Sequence, residues 1–184
     1  MWNFYMLKTK IISNFNILFR NKMKKDAIKI IQDNKVSLET INQSINDFVD
    51  NLLDDVLDGK GGRTTKTKKD IQTHNEKITP CFAELVQLHL DTTGKATDEA
   101  TKARITANYK LFKEGFSEIM GHTKYGFYQF IYEAWYHLLM GLCNEAIKEG
   151  NKKVSDLSLA LFRDVNKAYN LVYEENKKEF WTKE

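Results

Sequence analysis

Proline occurs once in 184 residues and glycine nine times, too little of either to punctuate a sheet-rich fold with turns. Two cysteines are present, Cys81 and Cys143. Each lies inside an apolar helical pattern, so the spacing spells out neither a disulfide framework nor a zinc site, and a reducing cytoplasm suits the chain. No run reaches the roughly 18 apolar residues of a membrane span. The longest uncharged N-terminal stretch, Ile11 to Phe19, has no small-residue cleavage site of a secretory signal. A net charge of +3 is too small to imply nucleic acid. The glycines after Leu57 lack the phosphate-loop spacing and follow a helix where a strand is required. Ser-His-Asp arrangements, paired carboxylates in apolar surroundings and dinucleotide glycine patterns are missing. The expectation is a non-enzymatic, all-α chain with no cofactor and no metal: an antiparallel helical bundle, or an elongated assembly of helical hairpins, of about five to six helices.

What is present is an aromatic helix predicted over 124–149, KYGFYQFIYEAWYHLLMGLCNEAIKE. More than half of the residues from Tyr125 to Tyr136 are aromatic. Tyr128, Ile131, Trp135, Leu138, Leu142 and Ala146 recur at helical spacing, and Tyr132, Tyr136, Leu139, Cys143 and Ile147 form a second stripe beside them. More than half of the circumference is therefore apolar. Such a helix lies between others or keeps an apolar face for a partner, and tyrosine suits an interface because it buries its ring while its hydroxyl stays wet.

Residues 1–22 carry Lys8, Lys10, Arg20 and Lys22, no acid, and a stripe of Phe4, Leu7, Ile11, Phe15 and Leu18. Three readings compete: a packed helix, a basic amphipathic helix on an apolar surface, or translated upstream sequence, with Met23 as an alternative start. Amphipathic helices are expected over 23–58. Ser37 caps one whose inward residues are Leu38, Ile41, Ile45, Phe48, Val49, Leu52, Leu53 and Val56. A basic Gly/Lys/Thr linker is expected over 59–79, and the main helical region over 80–184. There Thr79-Pro80 reads as a helix start, with Cys81 in a first turn where the dipole favours a thiolate. Thr97 reads as the next cap and Gly121 as a stop before a tight hairpin into the aromatic helix. Gly150 closes that helix, and Ser155 opens the last, with Leu157, Leu161, Val165, Ala168, Val172 and Trp181 inward. Two Glu-to-His pairs at i, i+4, Glu118 with His122 and Glu133 with His137, share helix faces but lack the third and fourth ligands of a metal site.

From Tyr109 onward the chain carries YKLFKEGFSEIMGHTKYGF, EAWYHLL, a glycine turn at KEGNKK and LALFRDVNKAYNLVYEENKKEF. This order resembles the accessory subunits of class III poly(hydroxyalkanoate) synthases, a helical, phasin-like family. Leu161-Phe162, Tyr173 and Phe180 match the family's order, whereas Val165 stands where a tryptophan is expected and the family's further C-terminal region is absent. The resemblance implies an activating, non-catalytic subunit at the polymer granule, with the polymerising cysteine on a separate catalytic synthase subunit. The alternative is a helical scaffold or regulatory protein, homodimeric through the aromatic helix. Under either reading Tyr128, Ile131, Tyr132, Trp135, Leu138, Leu142, Phe162 and Tyr173 are the residues expected in the core or on the partner-binding face.

Overall fold

The structure is a computed structural model that describes residues 2–57, 61–122 and 128–181, with side chains over 17–54, 67–121 and 128–177. It is all-α. Six helices span the described residues: α1 Trp2–Asp33, α2 Leu38–Leu57, α3 Gly61–Asp91, α4 Glu99–His122, α5 Tyr128–Lys148 and α6 Lys152–Trp181. Expectations resting on the side chains of Phe4, Leu7, Lys8, Lys10, Ile11, Phe15, Val56, His122, Tyr125, Phe180 and Trp181 lie outside the described set. Among the described residues, no helix is long and apolar enough to cross a membrane.

Three connections gather at one pole of the bundle. The backbone N–H of Val36, between α1 and α2, donates to Gln87 Oε1 at 3.0 Å, and Gln87 Nε2 returns a bond to the Asn34 carbonyl at 3.3 Å. Between α3 and α4, Thr93 Oγ1 donates to Asn151 Oδ1 of the α5–α6 turn at 3.2 Å. Lys153 Nζ reaches the carbonyls of Thr92 and Lys95 at 2.5 and 2.9 Å. Those carbonyls follow the end of α3, where helical partners run out; the Thr92 carbonyl also accepts from the Lys95 N–H at 3.0 Å, so the ammonium adds to a turn bond there and supplies the Lys95 carbonyl with a donor. Helices therefore alternate toward and away from this pole.

The caps follow from side-chain chemistry. Ser37 Oγ accepts from the Thr40 N–H at 3.2 Å, the expected cap of α2. Asp98, not Thr97, caps α4: its carboxylate accepts from the N–H of Thr101 at 2.9 Å and its hydroxyl at 2.8 Å, while Thr97 Oγ1 instead accepts from Lys153. Gly150, with φ of +70°, ends α5 in a Schellman turn, in which the Asn151 N–H donates to the Ala146 carbonyl at 2.7 Å. Asn151 then caps α6 by accepting from the Val154 N–H, and Ser155, expected in that role, is buried in the first turn.

Three larger expectations differ from the structure. First, Leu18, expected in the apolar stripe of residues 1–22, is exposed; α1 runs through Met23, which is fully buried, and its inward residues are Phe19, Met23, Ala27 and Ile30, a packed helix over these described side chains. Second, α3 is helical from Gly61, so the expected linker is helix over most of its length and Pro80 lies in the helix interior. Its buried residues Ile71, Asn75, Ile78, Phe82 and Leu85 alternate steps of four and three straight through the proline. Burying each large apolar side chain gives about 1.5–3 kcal/mol, which together outweighs the roughly 3 kcal/mol of an interior proline. Third, α4 and α5 are not a close hairpin. Helix α4 lies chiefly against α3 and α6, whereas α1, α2 and α6 all pack on α5. Being apolar on more than half its surface, α5 fits only at the centre. Close approach of α3 and α4 is admitted by Gly115, where any Cβ would fall well inside contact with Ile78 Cγ2.

Candidate partner-binding face

The first stripe of α5 is core. Tyr128, Ile131, Trp135, Leu138 and Leu142 are all buried. Trp135 stands edge-on to Phe82 and Phe112, with ring centroids at 5.1 and 5.3 Å. Its indole N–H donates to Asn75 Oδ1 at 3.1 Å, and Asn75 Nδ2 lies 3.5 Å from both Asn42 and Asn46 of α2. A buried indole N–H and a buried amide thus meet at the junction of α2, α3 and α5.

The second stripe meets α6 instead. Tyr132 stacks on Tyr169 with centroids 4.2 Å apart, and Tyr169 continues to Tyr128 at 5.6 Å and Tyr173 at 6.1 Å. Tyr132 lies 6.0 Å from Tyr136, which stands edge-on to Phe162 at 5.4 Å. The Tyr132 hydroxyl donates to Asn166 Oδ1 at 3.1 Å. Tyr132, Tyr136, Phe162 and Tyr169 are half-buried and Tyr173 is 40% exposed, so a continuous aromatic seam runs along the outside of α5 and α6. Burial pushes the phenols of Tyr128 and Tyr132 above their ordinary value, which keeps them protonated as donors. On the other side of α6, the Tyr109 hydroxyl donates to Asp164 at 2.6 Å, tying α4 to α6.

Sequence reasoning named Tyr132, Phe162 and Tyr173 but missed Tyr169 and Asn166. Positions 162, 166, 169 and 173 step by four, three and four, the spacing of one helix face, and that signal was present in the sequence.

The remaining candidates sit apart. Glu118 lies 3.5 Å from Lys77 and 3.9 Å from His74 on α3. Cys81 is in the middle of α3, not its first turn, and burial pushes its thiol up, away from the thiolate that a helix start would favour. Cys143 is buried, and its thiol too is pushed up by burial. No cluster of three or more His, Cys, Asp or Glu able to hold a metal occurs among the described residues.

His137 is held by α1: Arg20 Nε donates to its Nε2 at 3.1 Å. Burial first, and the Arg20 charge second, lower its pKa from an ordinary 6.5 to about 4. The unfolded histidine takes up its proton near 6.5 and the folded one only near 4, so acidification through that window favours the unfolded chain. Asp50 and Glu133, whose carboxyls burial pushes up, act oppositely, gaining stability as pH falls. The expected result is therefore differential: between pH 7 and 5, wild type loses more urea-unfolding stability than His137→Gln. Parallel pH profiles for the two would contradict a neutral His137 in the fold.

Comparison with known proteins finds no matching family model, no matching curated protein and no matching solved structure.

Proposed function

We propose that this chain is a non-catalytic interaction protein that binds its partner through the α5–α6 aromatic seam, and that the partner is the catalytic subunit of a polyester synthase. The observation that carries the interaction reading is the seam itself. Its tyrosines are ordered by stacking and by the Asn166 bond, yet Tyr173 is 40% exposed. Ordered, partly wet tyrosines lose little entropy on binding and have large area left to bury, which is how interface anchors behave. The resemblance over 109–184 supplies the synthase and, with it, an activating role at a polymer granule in the cytoplasm. A second reading, a scaffold that pairs with its own copy, is favoured by Tyr169 and Tyr173, which stack one turn apart on a single face of α6 and leave Tyr173 40% exposed, an aromatic strip suited to a self-complementary contact.

Affinity purification of the full chain from its native host tests both. Wild type is expected to retain a synthase catalytic subunit, and Tyr173→Glu to lose at least tenfold of it with an unchanged circular dichroism spectrum, since position 173 is exposed. A homo-oligomer that Tyr173→Glu dissociates, with no synthase recovered, would replace the first reading by the second. Binding insensitive to the substitution would remove the seam from either role.

A further inference from the structure

A second surface, on the opposite flank of α5, carries a different chemistry. Helices α1 and α5 run parallel and approach closely at Gly141, where a Cβ would stand 3.5 Å from Lys24 Cα and 3.6 Å from Ala27 Cβ. Above that crossing lies an open groove of about 440 Å³, within the size range of small-ligand sites. Met140 and Ile147 supply apolar wall, and Ile147 is 62% exposed, an isoleucine left in water beside a concavity. Arg20, Lys24 and Lys148 supply cations, and no carboxylate lines the groove among the described residues.

Arg20 is the ordered member of this set. Its Nε is spent on His137, which fixes the plane of the guanidinium, and it makes no ion pair with a described carboxylate. Glu133, one turn before His137, feels its charge without contact, and Lys148 is paired with Glu145 at 2.8 Å. Lys24 follows Arg20 by one turn on the same face of α1. A guanidinium held at Nε presents its two Nη groups as a fork, the geometry that takes a carboxylate through two parallel bonds. From His137 to Ile147 the groove follows α5 for ten residues, about 15 Å.

We propose that this groove binds an anionic amphiphile, a carboxylate with a medium-length apolar tail. The head sits on Arg20 and Lys24, and the tail runs over Met140 and the Gly141 crossing toward Ile147. The charge complementarity is one-signed at the head end, and the exposed Ile147 gives the tail its contact. This site is separate from the aromatic seam and does not rest on the partner reading.

Sodium decanoate, 1-decanol and sodium acetate titrated into the full chain below micelle formation, followed by backbone amide shifts, test the proposal. Decanoate is expected to shift Lys24, Met140, Gly141 and Ile147 saturably. Decanol, lacking the charge, should bind at least tenfold more weakly, and acetate, lacking the tail, should not saturate. A charged hydrogen-bonded head is worth at least that factor. Arg20→Gln should weaken decanoate at least tenfold. Ile147→Glu, at a position already in water, should do the same with the fold intact, so that loss of α1 packing cannot explain both. Equal binding of decanol and decanoate, unchanged affinity in Ile147→Glu, or shifts spread over all helices would overturn it.

Discussion

Replacing Trp135 by alanine is expected to lower unfolding stability by about 3–5 kcal/mol, the range for removing a large buried aromatic. Trp135 is 0% exposed and touches Phe82 of α3 and Phe112 of α4 from its place on α5, so its loss opens space where three helices converge and none can move in alone. Against a total stability of about 5–15 kcal/mol for a domain, that leaves a chain close to unfolding. Trp135→Phe separates the two contributions. Phenylalanine restores most of the volume but strands Asn75 Oδ1, which accepts the indole N–H at 3.1 Å, a penalty of about 1–3 kcal/mol for a buried group left unpaired. Urea titration followed by far-ultraviolet circular dichroism measures both, with unchanged slopes as the sign that only the native state was altered. A loss below about 1 kcal/mol for the alanine variant would mean that the helices do not close around this side chain. The comparison also separates core from surface: Trp135→Ala should lose stability, whereas Tyr173→Glu should lose partner and keep it.

How much of this was legible in the sequence depends on whether the signal was local. The α2 cap at Ser37, the α2 stripe from Ile41 to Leu53 and the Gly150 stop were readable because capping bonds and left-handed turns involve residues within five of one another, whereas Leu38, expected inward, is exposed at the first turn of α2. The first stripe of α5 was readable because apolar spacing alone marks an inward face. Partition of the aromatics was not. Tyr132 and Trp135 are three positions apart with similar apolar character, and what makes one a seam residue and the other core is that α6 covers one side while α3 and α4 cover the other. That is a property of packing, which no single helix carries. The close α4–α5 hairpin failed for the same reason: chain adjacency says which helices can be neighbours, and burial area decides which are.

Helix α3 was misread for a different reason, and one substitution shows which reading holds. Pro80→Ala is expected to stabilise the protein by about 2 kcal/mol. At a helix start, proline is favourable, because its missing N–H has no partner to lose and its φ is preset, so alanine there would be neutral or destabilising. In a helix interior, proline costs about 3 kcal/mol against alanine, offset by the 0.4–1 kcal/mol it takes from unfolded-chain entropy. The structure places it inside α3, nineteen positions after Gly61, on the exposed side, where water can reach the Glu76 carbonyl that has no N–H above it. The heptad-like series Ile71, Asn75, Ile78, Phe82 and Leu85 holds the helix together across the break. Asn75 is what concealed that series in the sequence, since a polar residue in an inward slot reads as an end of pattern; partners distant in the chain, the Trp135 indole sixty residues away and Asn42 and Asn46 of α2, account for it. The sign of the change in urea midpoint for Pro80→Ala therefore distinguishes a helix that starts at Pro80 from one that runs through it. An increase requires the continuous α3, and with it the buried Asn75–Trp135 pair that joins α3 to the centre of the bundle.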